Sequence, residues 1–433
     1  MFGRIMRASG SPGAVRATIR GAAVLGAASL AITLAACSGS GSPSPTGADT
    51  GSATPDLGAC GTAPVLPPQD DPDDLVAQLP QAAQDAFSGF PQPILASSWA
   101  EQLPAAGAPY KVGLAFLPVA NAWATAAVAE IEADFEKAKQ AGLVEGDLLV
   151  QIPADAATMT AADQIAGYNK LVEDGADVIL MYPLDGEAMK APVDAAGEKG
   201  IPTITIVGNV PSSYAVNVGN NPFNYVAQPM AQAARMLGGQ GNLIVVAGIE
   251  GISITTVSLD AAKQVLESCP DIKVVGTVYG GYSNSVTKSS LVTFLASHPE
   301  QIDAVLQIGT MGAGVWDAFA SVGRPAPLVI DLGTTAASLA YWDQALGSGY
   351  QGVGVPETAL QVVDSVWDVL QRVMAGEQPI LNQIPVAPKL VTNDNLAKYV
   401  VPGEGTTSQA DTQSVGPWID GPFLDLFFNN PGA

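Results

Sequence analysis

The scarce residue types limit what chemistry this chain could perform. Histidine occurs once, at His298, and cysteine three times, at Cys37, Cys60 and Cys269. A serine or cysteine nucleophile needs a base beside it, and a single histidine leaves almost no raw material for that arrangement. His298 stands in Ala-Ser-His-Pro-Glu-Gln, just before Pro299, and is expected to close a helix. Clustered histidines and cysteines of the kind that hold zinc are absent, as are a nucleophile elbow and a phosphate loop. No catalytic residue, metal ligand or cofactor is therefore assigned. What the chain does offer is hydrogen bonding and flat stacking faces, in short stretches rich in Asn, Gly, Ser, Thr and aromatics. These are 118–123 (Pro-Val-Ala-Asn-Ala-Trp), 183–185, 208–209, 248–253, 279–284, 309–311 and 331–335. Such side chains suit a neutral polar molecule.

The elements that must position them alternate. Strands are predicted at 111–117, 147–152, 178–182 and 201–207, with helices at 124–141, 163–174 and 187–197 between them. Val128, Ile131, Phe135 and Ala138 share one face of the first helix, and Gly142 is placed to end it. The rhythm pauses at 216–221 (Val-Asn-Val-Gly-Asn-Asn). It resumes with a helix to 237, strands at 243–247, 273–278, 304–307 and 328–331, and helices at 255–267, 286–297 and 312–322. This is the pattern of parallel sheets with helices on both faces. Its length suits two lobes. Ligands of such sheets bind outside the carboxyl ends of the strands, where the polar stretches lie.

The N-terminal end carries an address. Arg4, Arg7, Arg16 and Arg20 precede a short apolar stretch ending in Leu34-Ala35-Ala36-Cys37. The stretch is too short for a membrane span. The tetrad resembles the lipobox of bacterial lipoproteins, which implies lipidation of Cys37, an exported protein, and anchoring to the outer face of the cell membrane. A Ser/Gly/Pro/Thr-rich run follows and reads as a flexible tether. Of 41 acids and 18 bases, four bases fall in this leader, so the remainder has 41 − 14 = 27 excess acids. Such a surface argues against nucleic acid as a partner. Cys60 and Cys269 remain, and an exported compartment permits a structural disulfide between them.

Several segments, in order, resemble the periplasmic-binding-protein family related to ribose-binding protein and to the sensor domains of LacI-type regulators. They are Asn121–Trp123, the run 164–206 with its Gly-Ala-Asp-Val-Ile, Pro-Leu-Asp and Gly-Ile-Pro, the run 216–232, Ser-His-Pro-Glu-Gln-Ile-Asp-Ala at 297–304, and Val-Ile-Asp-Leu-Gly at 329–333. The likeness covers 111–379. It implies an α/β fold of two doubly wound parallel-sheet lobes joined by three crossovers, at 217–221, 331–334 and 355–356. It also implies a monomeric clamp that closes on a small molecule and presents it to an ABC permease. The expected organisation is a signal peptide at 1–36, a lipid-anchored tether at 37–69 and an extension at 70–108 packed on one lobe. The first lobe is expected at 109–216 and 356–380, and the second at 217–355 and 381–433.

Departures from the family bear on the ligand. Where sugar-binding members carry Arg at the start of a second-lobe helix, this chain has Ser258; the family's Asn-Asp pair is replaced by Ile308-Gly309-Thr310; its Gln near 355–356 is missing, while Asp331 is retained. Beyond the leader the only arginines are Arg235, Arg324 and Arg372, all away from strand ends, so no bidentate clamp for an anion is available. The expectation is a neutral sugar or polyol stacked on Trp123 and bonded by Asn121, Asn209, Tyr282 and Asp331, with Ser258 and Thr310 as further wall residues. Asp185 is expected to cap the helix after it, and Trp316 and Trp367 to be core. The alternatives are a sensing lipoprotein that signals to a receptor and a binder of a nucleoside-like molecule.

Overall fold

A computed structural model of the chain describes residues 57–101, 103, 107–119, 122–154, 159–250 and 253–429. Cys37 and Asn121 lie outside them. The first lobe follows a short helix α1 (Gln81–Ala86). It consists of β1 (Val112–Ala115), α2 (Ala122–Gln140), β2 (Leu149–Gln151), α3 (Ala161–Glu173), β3 (Val178–Met181), α4 (Gly186–Gly197), β4 (Thr203–Ile206) and β5 (Ala215–Asn220). The second lobe comprises α5 (Pro222–Met236), β6 (Gln240–Ala247), α6 (Ser253–Leu266), β7 (Asp271–Tyr279) and α7 (Asn284–Ser297). It continues with β8 (Ala304–Ile308), α8 (Gly312–Ser321), β9 (Leu328–Leu332), α9 (Ala336–Ala345) and β10 (Val353–Val355). The chain then returns to the first lobe through α10 (Ala359–Ala375), β11 (Gln378–Pro379) and β12 (Gln383–Val386), and ends in α11 (Gly421–Leu424) and β13 (Phe428–Asn429).

Both main sheets are wholly parallel. The first runs β12-β5-β4-β3-β1-β2 and the second β10-β9-β8-β6-β7. Their central strands are buried along their length and mostly apolar, because both faces are covered, with Thr203 and Thr205 on β4 and Gln307 on β8 as buried polar exceptions. In the first sheet Leu114, Leu180 and Ile204 face α2 and α10, while Ala115, Ile179 and Met181 face α3 and α4. In the second, Leu243, Val245 and Leu306 face α5 and α6, while Ile244, Val246 and Val305 face α7 and α8. The predicted doubly wound, two-lobed fold is present. Helix ends follow local chemistry: Asp185 caps α4 by accepting from the Ala188 amide, Thr160 and Asp163 form a reciprocal capping box on α3, and Gly142 turns the chain after α2 at φ +75°.

Four boundaries differ from the expectation. The pause at 216–221 is largely a strand, β5. Its Asn217 reads as a loop residue, but its side chain accepts from the Val210 amide at 2.8 Å and donates to the Val210 and Asn382 carbonyls at 3.0 and 2.9 Å. The segment 331–334 is no crossover, because β9 and β10 are neighbours in one sheet and the chain between them stays on the second lobe. The crossovers are instead β5 to α5, β10 to α10, and β12 to Val391, which bridges Gly354 of β10. Asn220, Pro356, Pro388 and Lys389, one or two residues from each, line one small cavity.

The third difference is at the C-terminal end. Residues 381–433 do not form part of the second lobe alone. β12 pairs with β5 in the first sheet, Leu396 and Tyr399 pack on Trp342 of the second lobe, and Trp418, Leu424 and Phe427 join the first-lobe core. The fourth is at the N-terminal end. The expected tether runs to residue 69, yet Leu57, Cys60 and Leu66 pack on α5 and α6, and Cys60 is disulfide-bonded to Cys269. The apolar side chains that follow the Ser/Gly-rich run take this part out of solvent. The expected extension does reach the first lobe, where Phe87, Phe90, Ile94 and Trp99 are buried. Trp367 is core and Trp316 is partly buried, stacked on Tyr341. His298 ends α7, its ring stacked on Phe294 and its Nδ1 2.8 Å from the Phe294 carbonyl. Among the described residues no helix is long and apolar enough to cross a membrane.

Candidate functional site

Each sheet reverses its winding once, between β1 and β3 in the first and between β6 and β8 in the second. The carboxyl ends of these strands open a crevice. Trp123 follows β1 and Tyr182 follows β3. Their rings meet edge-on at 6.0 Å, and Phe116 backs Tyr182 at 5.4 Å. Both keep part of their surface accessible, beside fully buried strand residues. The second-lobe wall is Tyr282, which follows β7. Its hydroxyl lies 3.1 Å from that of Thr255 on α6. Its ring lies over two glycines: a Cβ on Gly248 would come 2.1 Å from Tyr282 Cζ, and one on Gly309 2.7 Å from the ring. Gly309 also has φ +97°, a conformation glycine takes without penalty.

Beside Trp123 lies Glu357, on the connection from β10 to α10. Its Oε2 accepts from Asn220 Nδ2 at 2.7 Å, its carboxylate also accepts from the Tyr225 hydroxyl, and its backbone carbonyl accepts from Trp123 Nε1 at 3.1 Å. Asn220 and Glu357 belong to two different crossovers and Trp123 to the first lobe, so one residue ties the hinge to the wall. Glu357 is half-buried, whereas its neighbours on either side are buried. Burial pushes its carboxyl up to about 7; the bonds from Asn220 and Tyr225 oppose this, and Asp411 adds to it. Burial also raises Tyr182 and Tyr225. Glu357 contributes to both shifts, and Tyr282 to that of Tyr182, so groups from the two lobes feel one another across the crevice.

Of the residues expected at the site, Trp123 and Tyr282 stand on opposite walls. Asp331, at the end of β9, is 3% exposed and turned into its own lobe, where it accepts from Gln307 and Ser338. Burial lifts its carboxyl to about 6. Its link to the crevice is indirect, through its field on Tyr225. Thr310 is exposed beside Gly309, with φ +56°. Ser258 is buried on α6, one turn beyond Thr255. Asn209 is committed elsewhere: its Nδ2 donates to Gln383 at 2.8 Å, and Gln383 in turn holds the Pro93 carbonyl. The sequence reading missed Tyr182, Tyr225 and Glu357. Only Tyr182 had a local signal, since it ends an apolar strand just before one of the polar stretches.

The three arginines are engaged away from the crevice, Arg235 with Gly61, Arg324 with the His298 carbonyl and Arg372 with Glu377 and Asp425, while Lys288 faces Asp317 at 3.6 Å. Among the described residues one group of three carboxylates lies close together, Glu130, Asp134 and Asp364. Lys137 already supplies it with a cation, 2.8 Å from Asp134 and 3.4 Å from Glu130.

Comparison with known proteins agrees with this architecture. A family model described as a periplasmic binding protein domain matches residues 112–376, and the chain belongs to that family. It is therefore a binding protein and not an enzyme. A relative described as a xylitol-binding protein, from Mycolicibacterium smegmatis, is 27% identical over 177 residues. That match covers 40% of this chain and 51% of the relative, so the chain spans about half the relative's length. Among solved structures, an ABC transporter solute binding protein from Thermobispora bispora is similar with a TM-score of 0.57 and 24% identity, over 67% of this chain and 87% of that one. Another, from Bacillus halodurans with bound myo-inositol, gives 0.55 and 20% over 67% and 97%. At these identities the structural likeness speaks for the fold.

Proposed function

We propose that this chain is the extracytoplasmic solute receptor of an ABC importer, anchored through Cys37, and that it clamps a small neutral polyol or sugar between its lobes. The observation that carries the ligand class is the make-up of the crevice. Aromatic side chains from both lobes (Trp123, Tyr182, Tyr282) line it, Glu357 beside Trp123 supplies an acceptor, and the arginines are engaged elsewhere. Aromatic faces stack on the C–H faces of a polyol, and carboxylates accept from its hydroxyls. An anion would meet a carboxylate with no compensating guanidinium. The xylitol-binding relative points the same way. Anchoring and delivery to a permease rest on the basic leader, the Leu-Ala-Ala-Cys tetrad and the family.

Binding works through the hinge. Contacts made by the ligand with both walls favour the closed form in proportion to its differential affinity for that form. Stacking and several buried hydrogen bonds give micromolar affinity, about 8 kcal/mol. The test is a thermal-shift titration of the chain lacking its first 37 residues, with xylitol, myo-inositol, aldoses, nucleosides and small carboxylates. A ligand at a hundred times its Kd adds about 2.7 kcal/mol, which moves the midpoint by several degrees. Response to carboxylates alone would sink the neutral-ligand reading.

Trp123→Ala removes the first-lobe wall and the indole bond to the Glu357 carbonyl. It is expected to weaken polyol binding by at least about tenfold, roughly 1.4 kcal/mol, while the fold keeps most of its stability. Isothermal calorimetry measures this directly, and unchanged affinity would remove Trp123 from the site.

A further inference from the structure

We propose that residues 57–101 form a disulfide-locked strap across the hinge, which limits how far the two lobes open. One end belongs to the second lobe. Leu57, Cys60 and Leu66 pack against α5 and α6, Arg235 at the end of α5 donates to the Gly61 carbonyl, and Cys60 is covalently joined to Cys269 beyond α6. The other end belongs to the first lobe. Phe87 and Phe90 sit edge-on at 5.4 Å inside its core, the Leu95 amide donates to Asn382, and Trp99 Nε1 donates to the Tyr214 carbonyl at 2.9 Å.

The two ends meet over the first crossover. The Leu66 amide donates to Ser88 Oγ at 3.1 Å, and the Gly89 amide donates to the Leu66 carbonyl at 2.9 Å. Asn221, the N-cap of α5 and fully buried, donates through Nδ2 to the Ala86 and Ser88 carbonyls at 2.8 Å each. Gly89 lies so close to the Phe223 ring that a Cβ would come within 2.5 Å of it. Rotation of the lobes about the β5–α5 connection therefore has to stretch or break this junction.

The disulfide decides which of those happens. Apart from the disulfide, the second-lobe end is held by side-chain packing and bonds such as that from Arg235, as a short surface segment is held, and such segments open locally at low cost. The covalent bond to Cys269 removes that route. The lobes then move only as far as the Leu66–Ser88–Asn221 junction deforms, a small-amplitude opening that keeps the crevice near its closed shape. Ligand release should be slower for it, since preorganisation lowers the cost of closing.

The test compares the oxidised chain with the Cys60→Ser/Cys269→Ser double variant and with wild-type chain reduced and alkylated under native conditions. Both reduced forms are first checked for native circular dichroism. The readouts need no ligand: the radius of gyration from small-angle scattering, and amide exchange at 57–66 and 219–224. The proposal expects a larger radius and exchange at 219–224 faster by about tenfold or more in both reduced forms. Faster exchange confined to 57–66, with an unchanged radius and unchanged 219–224, would mean that the bond only tethers a terminus, and would overturn it. The reduced wild type keeps the test decisive if the double variant does not fold.

Discussion

Glu357→Gln is expected to weaken polyol binding at pH 7.5 by about ten- to a hundredfold and to flatten the pH profile of the ligand-free protein above pH 6.5. The first effect follows from the acceptor lost. A hydrogen bond to a charged group contributes about 1.5–3 kcal/mol, and glutamine offers one neutral oxygen while its amide adds donors beside Asn220 and the Tyr225 hydroxyl. The second follows from linkage. The folded protein holds the Glu357 carboxyl at about 7, above its ordinary value of 4.5. The folded state therefore binds the proton more tightly than the unfolded chain does. The resulting stability is fully present below the unfolded value and is lost as pH rises through 7. Asp331, raised from 3.8 to about 6, contributes with the same sign and loses its share at lower pH than Glu357 does. Wild-type thermal midpoints should fall between pH 6.5 and 8, and those of the variant should fall much less. Ligand hydroxyls favour the ionised acceptor, so wild-type affinity should rise over the same interval. A variant that keeps the wild-type fall in midpoint would clear Glu357 of the titration.

Why Glu357 escaped the sequence reading is a question of topology. The apolar runs of β1, β3, β6 and β8 announce buried parallel strands, and the residue after each strand end is then a candidate wall. Trp123, after β1, is legible in that way, whereas Tyr282 follows the half-exposed edge strand β7 and stands out only as an aromatic in the Gly-rich stretch 279–284. Glu357 and Asn220 are 137 residues apart and become neighbours only because the β5–α5 and β10–α10 connections lie side by side. Tyr225 sits on a helix whose apolar neighbours make it look like core, and nothing local marks its hydroxyl as a partner of Glu357. Asp331 shows the converse. A conspicuous acid at a strand end was expected to meet the ligand, but Gln307 and Ser338 draw it inward. The terminal segments carry no period at all. Residues 57–101 and the C-terminal stretch take their places from tertiary contacts, chiefly core packing and side-chain hydrogen bonds with a few isolated bridges such as Ala96 to Leu381 and Thr335 to Asp411, and no sequence pattern encodes those.

The second large effect concerns the wall opposite Trp123. Gly248→Ala adds one methyl group, and an ideally placed Cβ would lie 2.1 Å from Tyr282 Cζ and 2.3 Å from its hydroxyl oxygen. Contact at that distance cannot persist, so the ring has to leave. Tyr282 has little freedom to do so quietly: its φ is +56°, its other side is close to Gly309, and its hydroxyl is paired with Thr255. Overpacking of this kind costs about 1–3 kcal/mol, and a displaced ring no longer offers its face to a ligand. Gly248→Ala should therefore lower stability by that amount and weaken polyol binding by roughly tenfold or more. The three atoms nearest the new methyl group all belong to Tyr282. In a Tyr282→Ala background the same glycine substitution should then be nearly silent in both respects. The coupling energy between the two sites, from urea denaturation of the four proteins, should be about 1–2 kcal/mol with the sign of relieved repulsion. Additive effects would mean that Gly248 is constrained by something other than this ring, and that the glycine does not exist to let Tyr282 stand in the crevice.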